Sequence, residues 1–114
     1  MITVYGIKNC DTIKKTRNWF DKHDIDYKFH DIRHDGIGAE TIASWIDRVG
    51  WENVLNKRST SWRNLDNDVQ QSVSADNIIT LLKQNPTLIK RPVVDADGII
   101  TIGFNADTYK GIFN

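Results

Sequence analysis

The opening of the chain constrains its fold most, because strand and helix patterns follow one another there without a gap. Ile2 to Tyr5 is a β-rich run closed by Gly6. Asp11 to about His23 carries Ile13 and Phe20 among the long stems of Lys14, Lys15 and Arg17, which is the spacing of a helix. Ile25 to Ile32 (IDYKFHDI) then alternates apolar and polar residues, the period of a strand. A strand, a helix-length connection and a second strand make a βαβ unit, for which parallel pairing with a right-handed crossover is expected.

The rest of the chain adds helices and then a hairpin. After Gly36 and Gly38, Ile42, Trp45, Ile46 and Val49 recur at three- and four-residue spacing, so a helix is expected over Ala39 to Val49, closed by Gly50. Trp51 to Asn67 is polar and without clear period, and reads as loop with brief helical turns. A further helix is expected from near Ser74 until Asn85-Pro86 stops it. Pro92 to Asp95 and Ile99 to Ile102 then flank Asp97-Gly98, a pair suited to a tight hairpin turn, and Asn105 to Phe113 can close the chain as a short helix. The expected architecture is α/β: a βαβ–ββα core, residues 1–34 and 87–114, with a helical insertion over about 35–86 in a single domain.

Fifteen basic and fifteen acidic residues cancel, so no excess field draws in a nucleic-acid backbone. The N-terminal run lacks the charged and apolar regions of a signal peptide, and no stretch is apolar enough to cross a membrane, so a cytoplasmic protein without membrane association is expected. His30 and His34 have no cysteine or other histidine nearby, and the first lies in an expected strand and the second in a loop, which argues against a metal site. Gly36-Ile37-Gly38 lacks the further glycine and the Lys-Ser/Thr of nucleotide loops. Trp19, Trp45, Trp51 and Trp62 read as packing residues.

Cys10 is the one cysteine, so no internal disulfide can form and a reducing compartment is the natural setting. It sits where the first strand gives way to the first helix. A helix N-terminus aims unpaired N–H groups and the positive dipole end at such a sulfur, which favours the thiolate, the nucleophilic form. Lys8, Lys14 and Arg17 can add to that field and Asp11 opposes it, so a lowered pKa is expected. Position alone leaves a second reading open: a small apolar residue packed under the loop. The sequence reads Cys10-Asp11-Thr12-Ile13, so Ile13 stands where a Cys-x-x-Cys motif has its resolving thiol, and any redox cycle must take its second thiol from outside.

The segments YGIKNCDTIKK, LIKRPVV and IGFNADTYKGIF resemble the arsenate reductase (ArsC)-like family, in its YffB/Spx branch, over nearly the whole chain. The resemblance implies a thioredoxin-like core, a cis peptide bond at Arg91-Pro92, and Arg91 beside the nucleophile as the main anion contact. Asn9, Asp11, Thr12, Arg58 and Pro92 are the implied substrate-binding positions. Arginine suits an oxyanion because its planar fork donates two parallel hydrogen bonds.

Two family arginines are missing. One position falls at Asn56, with Lys57, Arg58 and Arg63 close by, of which Arg58 can substitute, and the other at Phe104, which leaves a flatter, more apolar site. Arsenate is therefore less favoured than a peptide-like thiol. The implied function is a monothiol reductase that uses Cys10 and glutathione or a glutaredoxin-like partner, with no tightly bound cofactor. The alternatives are a non-catalytic module like the Spx-branch proteins that dock on RNA polymerase, or a degenerate family member.

Overall fold

The computed structural model describes residues 1–113. Its strands are β1 (Ile2–Gly6), β2 (Lys28–Asp31), β3 (Val93–Ala96) and β4 (Ile99–Ile102), in sheet order β2-β1-β3-β4. Its helices are α1 (Asp11–Lys22), α2 (Ala39–Val49), α3 (Trp51–Val54), α4 (Thr60–Arg63), α5 (Asn67–Ser72), α6 (Ile78–Gln84) and α7 (Ala106–Phe113), with a 3₁₀ turn at Pro86–Leu88. The expected order stands, with all the helices between α1 and α7 falling between β2 and β3. By contacts the chain divides into two compact units, Met1–His30 with the chain from Arg91 onward, and Asp31–Lys90.

In the first unit β1 and β3 pair antiparallel with Val4 opposite Val94 and Tyr5 opposite Val93, and β3 and β4 pair antiparallel with Val93 opposite Ile102. The β3–β4 turn has positive φ at both Asp97 (52°) and Gly98 (96°), the signature of the hairpin turn whose twist matches its strands. One face of the sheet carries Val4 and Val94, which cluster with Trp19 and Phe20 of α1 and Tyr109 of α7. The indole of Trp19 meets Phe20 and Tyr109 edge-on, with centroids 5.4 Å and 5.2 Å apart. Such pairs add about 0.5–1.5 kcal/mol to what burial contributes. Ile25, Tyr27 and Phe29 pack at the margin of this cluster. The alternation read over Ile25 to Ile32 is thus an alternation of burial, while only Lys28–Asp31 joins the ladder.

The second unit is helical. The helix α2 has the bounds the apolar spacing predicts, buries Ile42 and Trp45, and ends at Gly50 with φ 87°. It packs on α3 and α6. Residues 51–67 are short helical turns joined by loop, as expected, but α5 has no counterpart in the expectation. It buries nothing, so it leaves no apolar period to read. The helix expected from Ser74 begins instead at Ile78. Ser74 to Asn77 form a turn in which the Asn77 side chain accepts from Ser74 N (2.9 Å) and Ser74 Oγ accepts from Asp76 N (3.3 Å). Short polar side chains offer the backbone an alternative to the helical ladder, and here they delay it.

Candidate active site around Cys10

Three chain segments leave the first unit's sheet at one end. The chain runs out of β1 at Gly6, enters β3 just after Arg91-Pro92, and runs out of β4 at Gly103, and the antiparallel registers set these points side by side. A backbone bond joins two of them, Gly103 N to the carbonyl of Pro92 at 2.8 Å. Gly103 has φ 83°, which its lack of a Cβ permits. In the sequence the only signal of this role is a lone glycine just past the last strand. The Arg91-Pro92 bond is cis. Arg91 is half-buried and Pro92 buried.

Cys10 lies in the turn between β1 and α1. Gly6 allows the strand to end against the helix, since a methyl group placed on it would overlap Ile13 Cδ1 and Cγ1. Asn9 then takes φ 67°, a left-handed conformation that Asn tolerates better than most residues, and the chain enters α1. Cys10 is the N-cap of that helix, half-buried, and its sulfur makes no capping hydrogen bond. Its carbonyl accepts from Lys14 N at 3.0 Å. Asp11 stands exposed in the first turn, while Thr12 is half-buried and its carbonyl accepts the Thr16 hydroxyl at 2.8 Å. Asn9, Cys10, Asp11, Thr12, Arg91 and Pro92 therefore all belong to the first unit, Asn9, Cys10, Arg91 and Pro92 in the segments that flank its strands and Asp11 and Thr12 in the first turn of α1.

The field expected at Cys10 needs a correction at Arg17. Its guanidinium is engaged further along α1, where Nε donates to the Tyr27 hydroxyl at 3.0 Å and the plane lies 4.6 Å from the Phe29 centroid. Lys14 is exposed. Tyr5, near the same end of β1, has its phenol pKa raised by burial and secondly by the Asp95 carboxylate. Phe104 is half-buried and meets Tyr109 edge-on with centroids 5.5 Å apart, so its ring is part of the core margin.

Arg58 and Arg63 belong to the second unit. Both are exposed in the segment that follows Asn56, whose side-chain oxygen accepts from Arg58 N at 3.0 Å. The Arg63 guanidinium donates to the Arg58 carbonyl at 3.0 Å. Lys57 lies over the Trp62 ring, 5.6 Å from its centroid. Among the described residues no group of three or more His, Cys, Asp or Glu is placed to hold a metal ion, and no helix is long and apolar enough to cross a membrane.

Residues 5–112 match the sequence pattern of the ArsC family. The chain belongs to that family. An uncharacterized protein of Haemophilus influenzae is 48% identical over 113 residues, which cover 99% of each chain. The global transcriptional regulator Spx of Streptococcus pyogenes is 28% identical, over 100% of this chain and 86% of that one. Among solved structures, the YFFB protein superposes with a TM-score of 0.93 at 39% identity, over 97% of both chains. An arsenate reductase-related ArsC protein from Brucella melitensis gives 0.77 at 43% identity, over 98% of this chain and 93% of that one. This ArsC-family chain has the thioredoxin-like α/β fold, with its helical segment between the second and third strands.

Proposed function

We propose that this ArsC-family protein is a monothiol reductase in which Cys10 is the nucleophile and a thiol from solution completes the cycle. The observation that carries the reading is the shared sheet end: the cysteine at the N-cap of α1 and the Arg91-Pro92 loop leave the sheet side by side. The first N–H groups of a helix have no partner within it and favour negative charge beside them. A guanidinium can take the charge that develops on a leaving group or oxyanion.

The step is a thiol–disulfide exchange. The Cys10 thiolate attacks one sulfur of an oxidised thiol, the S–S bond breaks, and the departing thiolate takes a proton from solvent. A second thiolate, that of glutathione or a glutaredoxin-like protein, then attacks the outer sulfur of the mixed disulfide, forms a new disulfide with it and frees Cys10 as the thiolate. A further external thiol releases the outer group from that new disulfide as a thiol and leaves the two external thiols joined as a disulfide. Both electrons come from the external thiols, since no second cysteine exists in the chain. Phe104 at the position of a family arginine favours an oxidised thiol over arsenate as the electrophile.

A turnover assay with glutathione against hydroxyethyl disulfide and against arsenate tests this, together with intact mass after incubation with oxidised glutathione. The expected result is a mixed disulfide on Cys10, turnover of the disulfide that disappears in Cys10→Ser, and a weaker response to arsenate. A wild-type protein that forms no adduct and turns over neither substrate sinks the proposal. The Spx likeness supports a second reading, a non-catalytic module that docks on RNA polymerase. Polymerase captured equally by the wild type and Cys10→Ser, with no turnover by either, would favour it.

A further inference from the structure

Beside α1 and the chain that enters β2, the first unit has a cleft of about 310 Å³ lined by Arg17, Asp21, Ile25, Asp26, Tyr27 and Phe29. Arg17 is held there more firmly than a surface arginine. Its guanidinium carbon sits 4.6 Å from the Phe29 centroid and 5.9 Å from that of Tyr27, and its Nε donates to the Tyr27 hydroxyl at 3.0 Å. These contacts fix the plane of the group and occupy Nε, so the two Nη groups remain as a preorganised fork.

Asp21 and Asp26 line the same cleft, and Asp21 stands one helical turn beyond Arg17. Among the described residues, neither forms an ion pair with Arg17, and no other carboxylate does. An i, i+4 Arg–Asp pair would ordinarily be favourable. The stacking on Phe29 and the bond to Tyr27 hold the guanidinium elsewhere.

One cation and two carboxylates face a space near the small end of ligand pockets. A plain anion would meet the net negative charge, and a plain amine would leave Arg17 unmatched. We infer that the cleft binds a small zwitterion of the amino-acid type. Its carboxylate takes the Arg17 Nη fork, its ammonium faces Asp21 and Asp26, and an apolar side chain lies along Ile25 and Phe29. This site is independent of the reductase reading.

Heteronuclear NMR titration of the intact protein tests it with three probes: L-leucine, N-acetyl-L-leucine, which lacks the ammonium, and isopentylamine, which lacks the carboxylate. L-Leucine should give saturable shifts at the amides from Ile25 to Phe29, with each of the other probes roughly tenfold weaker. Arg17→Gln should abolish the response. That variant also removes the brace to Tyr27, so Asp26→Asn, an exposed change, is the second: it should weaken L-leucine several-fold while N-acetyl-L-leucine, freed of one repelling carboxylate, binds no more weakly than before. Equal binding of L-leucine and its N-acetyl form, an Asp26→Asn protein that binds L-leucine as the wild type does, or no saturable shift with any probe would overturn the inference.

Discussion

Single residues set the local geometry, and two of them show how. Gly6 is where β1 meets α1 without room for a side chain. Gly6→Ala would drive a methyl group into Ile13, which is only 2% exposed and cannot move into solvent. The expected loss is about 1–3 kcal/mol, the usual cost of overpacking, visible as a lower urea midpoint at unchanged slope. Tyr109 is the other. It has no exposed surface, and its hydroxyl donates to the Gly103 carbonyl at 3.1 Å. Burial pushes its phenol from 10.0 up to about 12, with the hydroxyls of Thr16 and Thr101 pulling the other way. A raised folded pKa means the fold retains the neutral phenol while the unfolded chain gives up its proton first. The resulting stability is complete below pH 10 and is lost as pH climbs through about 12. At 1.36 kcal/mol per pH unit this is roughly 2–3 kcal/mol. Tyr109→Phe should flatten that alkaline decline relative to the wild type, measured by denaturant unfolding at stepped pH. An equal slope in both proteins would assign the decline to other groups.

At the scale of elements, legibility followed the strength of the apolar period. The helix α2 was readable to the residue because Ile42, Trp45 and Ile46 repeat along a face that packs and Gly50 ends it. The hairpin was readable because Asp97-Gly98 is one of the few pairs that accept positive φ at both turn positions. Where polar side chains compete with the backbone, boundaries drifted, as at Ser74 to Asn77. The helix α5 was invisible because nothing on it is buried. Short helices of this kind depend on their caps. Ser59 caps α4 by accepting from Trp62 N at 3.1 Å, and its hydroxyl donates to the Asn56 carbonyl at 2.8 Å. Ser59→Ala should cost about 0.5–2 kcal/mol. Amide hydrogen exchange should quicken over residues 60–63 while the sheet keeps its protection. Quickening spread evenly over the chain would show that the cap stabilises more than its own turn.

At the scale of the whole molecule, core and chemistry should separate by mutation. Phe20 has no exposed surface and touches Trp19, Tyr27, Tyr109 and Phe113 by ring contacts of 5.2–5.6 Å. Phe20→Ala should therefore cost about 3–5 kcal/mol. Cys10→Ser removes no buried contact of that kind and should leave thermal unfolding close to the wild type while ending turnover under the proposed chemistry. A large fall in thermal stability for Cys10→Ser would return the thiol to the packing role that its position alone left open. Strand and helix order and the cysteine at the first strand-to-helix junction were decided by sequence, because period, turn chemistry and residue type act over a few neighbours, while the thioredoxin-like class came from the resemblance of whole segments to the ArsC-like family. Only the tertiary structure decided that Gly103 ties the Pro92 loop to the end of β4, and that Arg17 lies against Tyr27 and Phe29 instead of serving Cys10. Those outcomes depend on strand register and on which aromatic faces the packing leaves beside a long flexible side chain, and neither is written in the spacing of residues along one segment.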